Sequence, residues 1–275
     1  MSEFRRNQTI SSYRQNTKEE SERSRAHNLA NKRNRLGLVL LASVSVVLLA
    51  GFLLWQLIVQ ITVITSTKPL SVPFNGQEYT GAINDFLMIN PTQRLRAGLN
   101  AEELSSFVSS KHPEVESVTL KGGLRGPATG DFSITFRTPV AGWSMGGKQY
   151  FVDKSGVVFE RNYYSAPTIE IVDESGVSAQ QGAVVASNRL LAFLGRVVAQ
   201  AQGRGYVVQK AVLPANTTRT LDLYFKDIHP FARLNIDRGA GEQVEDFQRA
   251  YNFITNNNIG AGYVDVRVGG RAAYK

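Results

Sequence analysis

Few side chains in this sequence have the type and spacing to do chemistry. The 275 residues contain no cysteine and only three histidines, His27, His112 and His229. Thiolate catalysis and disulfides are therefore excluded, and a zinc site would have to gather carboxylates from distant parts of the chain. A Ser-His-Asp triad would have to use His112 or His229, but each precedes a proline, Pro113 or Pro230, where turn residues are expected for structural reasons alone. Gly142, Gly147 and Lys148 satisfy the spacing GxxxxGK. Gln149 stands where magnesium would need Ser or Thr, and the YFVD that follows reads as a strand, so the motif is expected to be a hairpin turn. The pairs Asp222 with Asp227 and Asp237 with Glu242 sit at strand and loop ends. Glycan cleavage would need two carboxylates about 5 to 10 Å apart, one of them with a raised pKa. No apolar setting to raise one is encoded nearby, so the chain is expected to be no enzyme and to hold no cofactor or metal.

The element that places everything else is the run LGLVLLASVSVVLLAGFLLWQLIV from Leu36 to Val59. It carries no charge and is long enough for the roughly 20 helical residues a bilayer crossing needs. A signal h-region is about 7 to 15 residues long, and no A-x-A site follows, so the expectation is an uncleaved transmembrane helix over 36–60. Trp55 lies where an indole reaches the interface. Before Leu36 there are nine Lys or Arg against four Glu, with Lys32, Arg33 and Arg35 beside the span; the next basic residue after it is Lys68. The positive-inside rule then puts the amino end in the cytoplasm and the bulk outside, with anionic lipid attracted to residues 32–35. The net charge of +8 is mostly this tail, since the remainder has 22 basic against 19 acidic residues. Nucleic acid is not an expected partner.

Beyond the span the period alternates between strand and helix. Residues 61–65 and 70–74 suggest a first strand around Pro69, and 77–88 a helix with Tyr79, Ile83, Phe86 and Leu87 inward. Asn100 with Glu103 forms a capping-box pattern for a helix burying Leu104, Phe107 and Val108. Val115, Val118 and Leu120 begin a strand, 122–130 is a glycine-rich turn containing Arg125, and Phe132, Ile134 and Phe136 alternate with polar residues. This is a small α+β unit, expected over 61–138. From Pro139 a strand-rich region with flanking helices is expected over 139–275. It comprises a hairpin joining 149–152 to 157–160, a strand at 169–172, a helix over 188–202, a meander at 206–213, 220–226 and 231–237, a helix over 242–255, and a last strand at 263–268.

Read together, this order resembles the bacterial cell-division family FtsQ/DivIB. Leu104 through Pro113 with Val115 and Val118 is similar to that family's second POTRA (polypeptide-transport-associated) helix and its continuation. Arg137, Pro139, Val140, Ala141 and Trp143 resemble its interdomain hinge. Val152, Asp153, Gly156, Val157 and Phe159 resemble "vD..G.vf", and Tyr263, Val264, Asp265, Val266 and Arg267 the closing "y.DlRy" strand. Phe136 departs from the hinge pattern, which has Glu there, and the spacing after Gly76 is stretched.

The resemblance implies a cytoplasmic tail (1–35), one span, a POTRA-like domain and a β domain. It also implies a scaffold that binds small bitopic proteins like FtsB/DivIC and FtsL, and through them influences the FtsW/FtsI septal peptidoglycan synthase at the division septum. The implied partner surface is an exposed terminal strand, Tyr263, Val264, Asp265, Val266, Arg267 and Val268, continuing to Tyr274, with Tyr251 on the neighbouring helix. The alternative is a POTRA-containing export or envelope-assembly component, which would carry repeated POTRA units or a membrane barrel.

Overall fold

From Glu22 to Gln56 the chain is one unbroken helix, α1, none of whose residues is buried. The computed structural model describes residues 21–65, 69–122, 128–178 and 180–275. The tail to residue 20, Lys68 and Arg125 lie outside these. Among the described residues, α1 is the one helix long and apolar enough to cross a membrane. Lys32, Arg33 and Arg35 are exposed on it. The helix ends before the apolar run does: Leu57 pairs instead with Leu95 as an isolated bridge, and Ile58 is buried in the domain that follows. The helix therefore ends four residues before the expected limit at residue 60, because Ile58 has a protein core to enter.

Residues 56–275 form a separate compact body containing two sheets. The first sheet has β1 (Gln60–Thr65), β2 (Val115–Leu120) and β3 (Thr129–Phe136) in the order β1-β3-β2, with β1 parallel and β2 antiparallel to β3. Two helices, α2 (Gly76–Ile89) and α3 (Ala101–Lys111), lie between β1 and β2 in sequence. Their apolar stripes, Tyr79, Ala82, Ile83, Phe86 and Leu87 from α2 and Leu104 and Val108 from α3, pack on Val115, Val118, Phe132, Ile134 and Phe136. Asn75 and Asn100 cap the two helices, the second accepting from the N–H groups of Glu102 and Glu103. The expected reciprocal bond from Glu103 runs through a third residue: the Asn100 N–H goes to Gln93 Oε1, and Gln93 Nε2 donates to Glu103 Oε2.

Residues 70–74 are not a strand, contrary to expectation. Pro69 and Pro73 lack the N–H a ladder needs, and the N–H groups of Ser71 and Val72 are taken by the Tyr163 carbonyl.

The second sheet has nine strands: β4 (Pro139–Met145), β5 (Lys148–Asp153), β6 (Val158–Phe159), β7 (Glu170–Asp173), β8 (Val208–Leu213), β9 (Thr220–Phe225), β10 (Phe231–Asn235), β11 (Tyr263–Asp265) and β12 (Ala273–Tyr274). Their order is β12-β11-β10-β9-β8-β7-β4-β5-β6. Helix α4 (Asn188–Gln202) joins the parallel pair β7 and β8, and α5 (Ala240–Asn256) joins the parallel pair β10 and β11. Both helices feed one core with Trp143, Ile171, Ala211, Leu221, Leu223, Leu234, Val264 and Val266. The GxxxxGK stretch is a hairpin, as expected: Gly146 and Gly147, both at positive φ, turn β4 into β5, while Gly142 lies within β4.

Candidate functional site

The face of the second sheet away from this core carries a linked set of aromatic and charged residues on β8 to β11. Along β9 and β10 alternate residues turn away from the core, so Asp222 and Tyr224 face out beside Phe231 and Arg233. Arg233 grips Asp222 with two bonds of 2.8 Å and lies over the Tyr263 ring, 4.8 Å from its centroid. Its bonds to the Asp222 carboxylate hold the Arg233 guanidinium above its ordinary pKa. Rings of Tyr224, Phe231 and Tyr263 stack in series at 4.7 and 5.7 Å, with Lys210 capping the row at Tyr224. Because their faces are spent on each other, the rings brace adjacent strands, and their edges are what remains outward.

Asp265 and Arg267 continue this row on β11 and just beyond it. Arg267 donates to both carboxylate oxygens, Nε at 2.9 and 3.0 Å and Nη2 at 2.7 Å. Burial alone would raise the Asp265 pKa; the Arg267 bonds outweigh it and hold the carboxyl below its usual value. Beside this pair opens a groove of about 820 Å³ whose lining includes Arg219, Asn235, Asp265, Arg267 and Arg271.

The expected free strand over 263–268 needs correction here. The strand is three residues long, and its outer side is occupied by β12, with Val264 opposite Tyr274 and Asp265 opposite Ala273. Gly270, at φ +67, lets the chain reverse. The Lys275 main-chain oxygen accepts from Gly262 N–H at 2.6 Å and Tyr263 N–H at 3.3 Å. At this end of the sheet the edge strand is therefore β12, not β11. Tyr263 and Lys275 form a hydrogen-bonded pair, so Tyr274 between rungs turns its own N–H and C=O outward.

The other partner residues divide by burial. Val264 and Val266 are core. Tyr251 is half-buried against Phe247 and Tyr206, whereas Val268 and Tyr274 are exposed.

At the junction of the two sheets, Arg137 donates Nη1 to Asp153 Oδ2 at 2.6 Å and Nε to the Pro113 carbonyl at 2.9 Å. Pro139 opens β4 opposite Asp153, and Trp143 is fully buried in the second core with its indole N–H unpartnered. A second crossing, not foreseen in the sequence, lies at Arg161 to Tyr164. Tyr163 is buried in the core of the first sheet, its hydroxyl 2.7 Å from that of Tyr79, which donates to Glu114 Oε1 at 2.9 Å. Arg161 binds both Glu78 oxygens, at 2.8 and 2.7 Å.

Three of the four carboxylates considered for acid-base work are ion-paired. Asp222 is held by Arg233, Asp237 by Arg189 and Arg219, and Glu242 by Arg238, while Asp227 is exposed at positive φ. His112 lies 3.7 Å from Glu114, and its ring is tilted against that of Tyr79, 4.8 Å between centroids. Among the described residues, no group of three or more His, Asp or Glu side chains is placed to hold a metal. Sequence reading missed Arg233 and Arg238, the latter of which holds the Val266 carbonyl at 2.6 Å, and it considered Asp222 only as a carboxylate beside Asp227. Asp222 and Arg233 fall within expected strands of the meander, but nothing local pairs them. No family model matches the chain, and no curated protein matches it in sequence.

Proposed function

We propose that this protein is a non-enzymatic, single-pass scaffold of the bacterial division machinery, of the kind its motifs resemble. In this reading α1 is the membrane span with its amino end in the cytoplasm. The three-stranded module is POTRA-like, and the nine-stranded sheet is the β domain that recruits small bitopic proteins like FtsB/DivIC and FtsL. Through them it acts on the FtsW/FtsI septal synthase at the septum. The observation that carries the reading is the β12 edge: a two-residue strand with unpaired main-chain groups at Tyr274, beside a groove bearing Arg267 and Arg271. A partner strand can extend such a ladder, while its side chains enter the groove.

Tyr274→Pro tests this by removing the outward N–H without touching the β11 to β12 bonds. We expect membranes containing the variant to lose the small bitopic partner on co-purification, with thermal unfolding shifted by no more than about 0.5 kcal/mol. Partner recovery equal to that of the parent chain would dismiss the edge as the recruiting surface. A deletion after Gly262 is a poorer test, because it removes Val264 and Val266 from the core.

A further inference from the structure

The three-stranded module begins without a linker. Helix α1 ends at Gln56, and the next three residues are already bonded into the module: Leu57 bridges Leu95, Ile58 N–H donates to the Arg94 carbonyl at 2.8 Å, and Val59 N–H donates to the Ala128 carbonyl at 3.0 Å. Three extended residues reach at most about 10 Å, whereas the headgroup zone on each side of a bilayer is roughly 5 to 7 Å deep.

The same end of the module is amphipathic. Arg94 Nε donates to the Leu87 carbonyl, which brings the last turn of α2 to it, and there Met88 and Ile89 are 64% and 67% exposed. These two fall off the stripe by which α2 packs, so the module's own core has no use for them. Val59, adjoining, is 58% exposed. Around this apolar lip stand Arg94, Arg96, which binds the Thr129 carbonyl, and exposed Lys121, with Asp131 sharing the recess of Arg96 and Lys121.

We infer that this end of the module docks on an anionic lipid surface. Met88, Ile89 and Val59 enter the boundary between headgroups and acyl chains, and Arg94, Arg96 and Lys121 face the phosphates. The inference rests on reading α1 as a span, and the experiment separates the two. Since the chain has no native cysteine, Met88→Cys, Ile89→Cys, Leu48→Cys and Val177→Cys each accept one fluorophore in the full-length chain. The labelled chains are reconstituted alone in nanodiscs of phosphatidylglycerol with brominated acyl chains. We expect strong quenching at positions 48, 88 and 89 and none at 177, whose side chain is exposed on a loop of the second sheet. Quenching at 88 and 89 should weaken in phosphatidylcholine or at about 1 M salt, where fields die within about 3 Å.

Quenching at 48 with none at 88 or 89 would overturn the docking and leave the span standing, and would hand the lip to a protein. No quenching at 48 would overturn both. Quenching at 88 and 89 that ignores lipid charge would remove the arginines and Lys121 from the contact.

Discussion

Tyr79 shows how one phenol can fasten two parts of a chain. Its hydroxyl donates to Glu114 and meets that of Tyr163, and both rings pack on Phe136. Tyr79→Phe keeps the packing but leaves the buried Glu114 carboxylate without this donor. We expect a loss of about 1 to 3 kcal/mol in denaturant unfolding. Burial, reinforced by the Tyr163 bond and the Glu114 charge, raises the Tyr79 pKa far above 10.0. A folded pKa above the unfolded one means the contribution is whole below pH 10 and is lost as pH rises beyond it. Alkaline unfolding monitored by circular dichroism should therefore start later in Tyr79→Phe relative to its own neutral stability. Asp265 runs the other way, with its folded pKa below 3.8. Its contribution is present above that value and fades as pH falls below it, so amide resonances of Gly262 and Lys275 should broaden under acid in the parent and not in Asp265→Asn. Sequence reading marked Asp265 and Arg267 as neighbours on a strand. It could not foresee Tyr163, because the segment RNYYSAP reads as loop and its socket lies about 85 residues earlier.

At the scale of elements, the four α-helices described after α1 were legible because their signals are local. Asn100 and Ser187 accept from N–H groups of the following turn, and the stripe of α4 buries Leu190, Phe193, Leu194 and Val197 as its spacing demands. Strands of the meander were legible as short segments separated by turns. Two strands were not. β4 reads PVAGWSM, with Pro and Gly that normally punctuate strands, and is held by neighbours β5 and β7 on both sides. β12 is only two residues and exists because a glycine turn brings it to β11. The turn between β5 and β6 supplies a sharp test. Gly156 has φ +81, and a Cβ there would meet the Ala186 oxygen at 1.8 Å, so backbone must move. Gly156→Ala should cost at least about 3 kcal/mol, read as a lowered midpoint in thermal unfolding. Gly147→Ala, also at positive φ but with nothing within 4 Å, should cost about 1 to 2 kcal/mol.

For the molecule as a whole, topology is the claim most open to direct test. Residues 27 and 253 lie on α1 and α5, and in the proposed topology single cysteines there would report on the two sides of the membrane. In intact cells an impermeant maleimide should label Phe253→Cys and spare His27→Cys; the reverse would turn the protein round. Two modules were legible as composition and period, whereas their mutual fastening was not, since it depends on Arg137 with Asp153, Arg161 with Glu78, and Tyr163. Tyr163→Ala should cost about 3 to 5 kcal/mol by emptying that socket. The crossing at Arg161 to Tyr164 also bears on how the protein would respond to a protease. A nick placed between β3 and β4 would cut the chain where the modules look separable, yet the two pieces should elute together from a sizing column. A recombinant fragment ended at residue 138 would be born with a hole in its interior, and should precipitate or recruit detergent unless a peptide carrying residues 160–165 is supplied in trans.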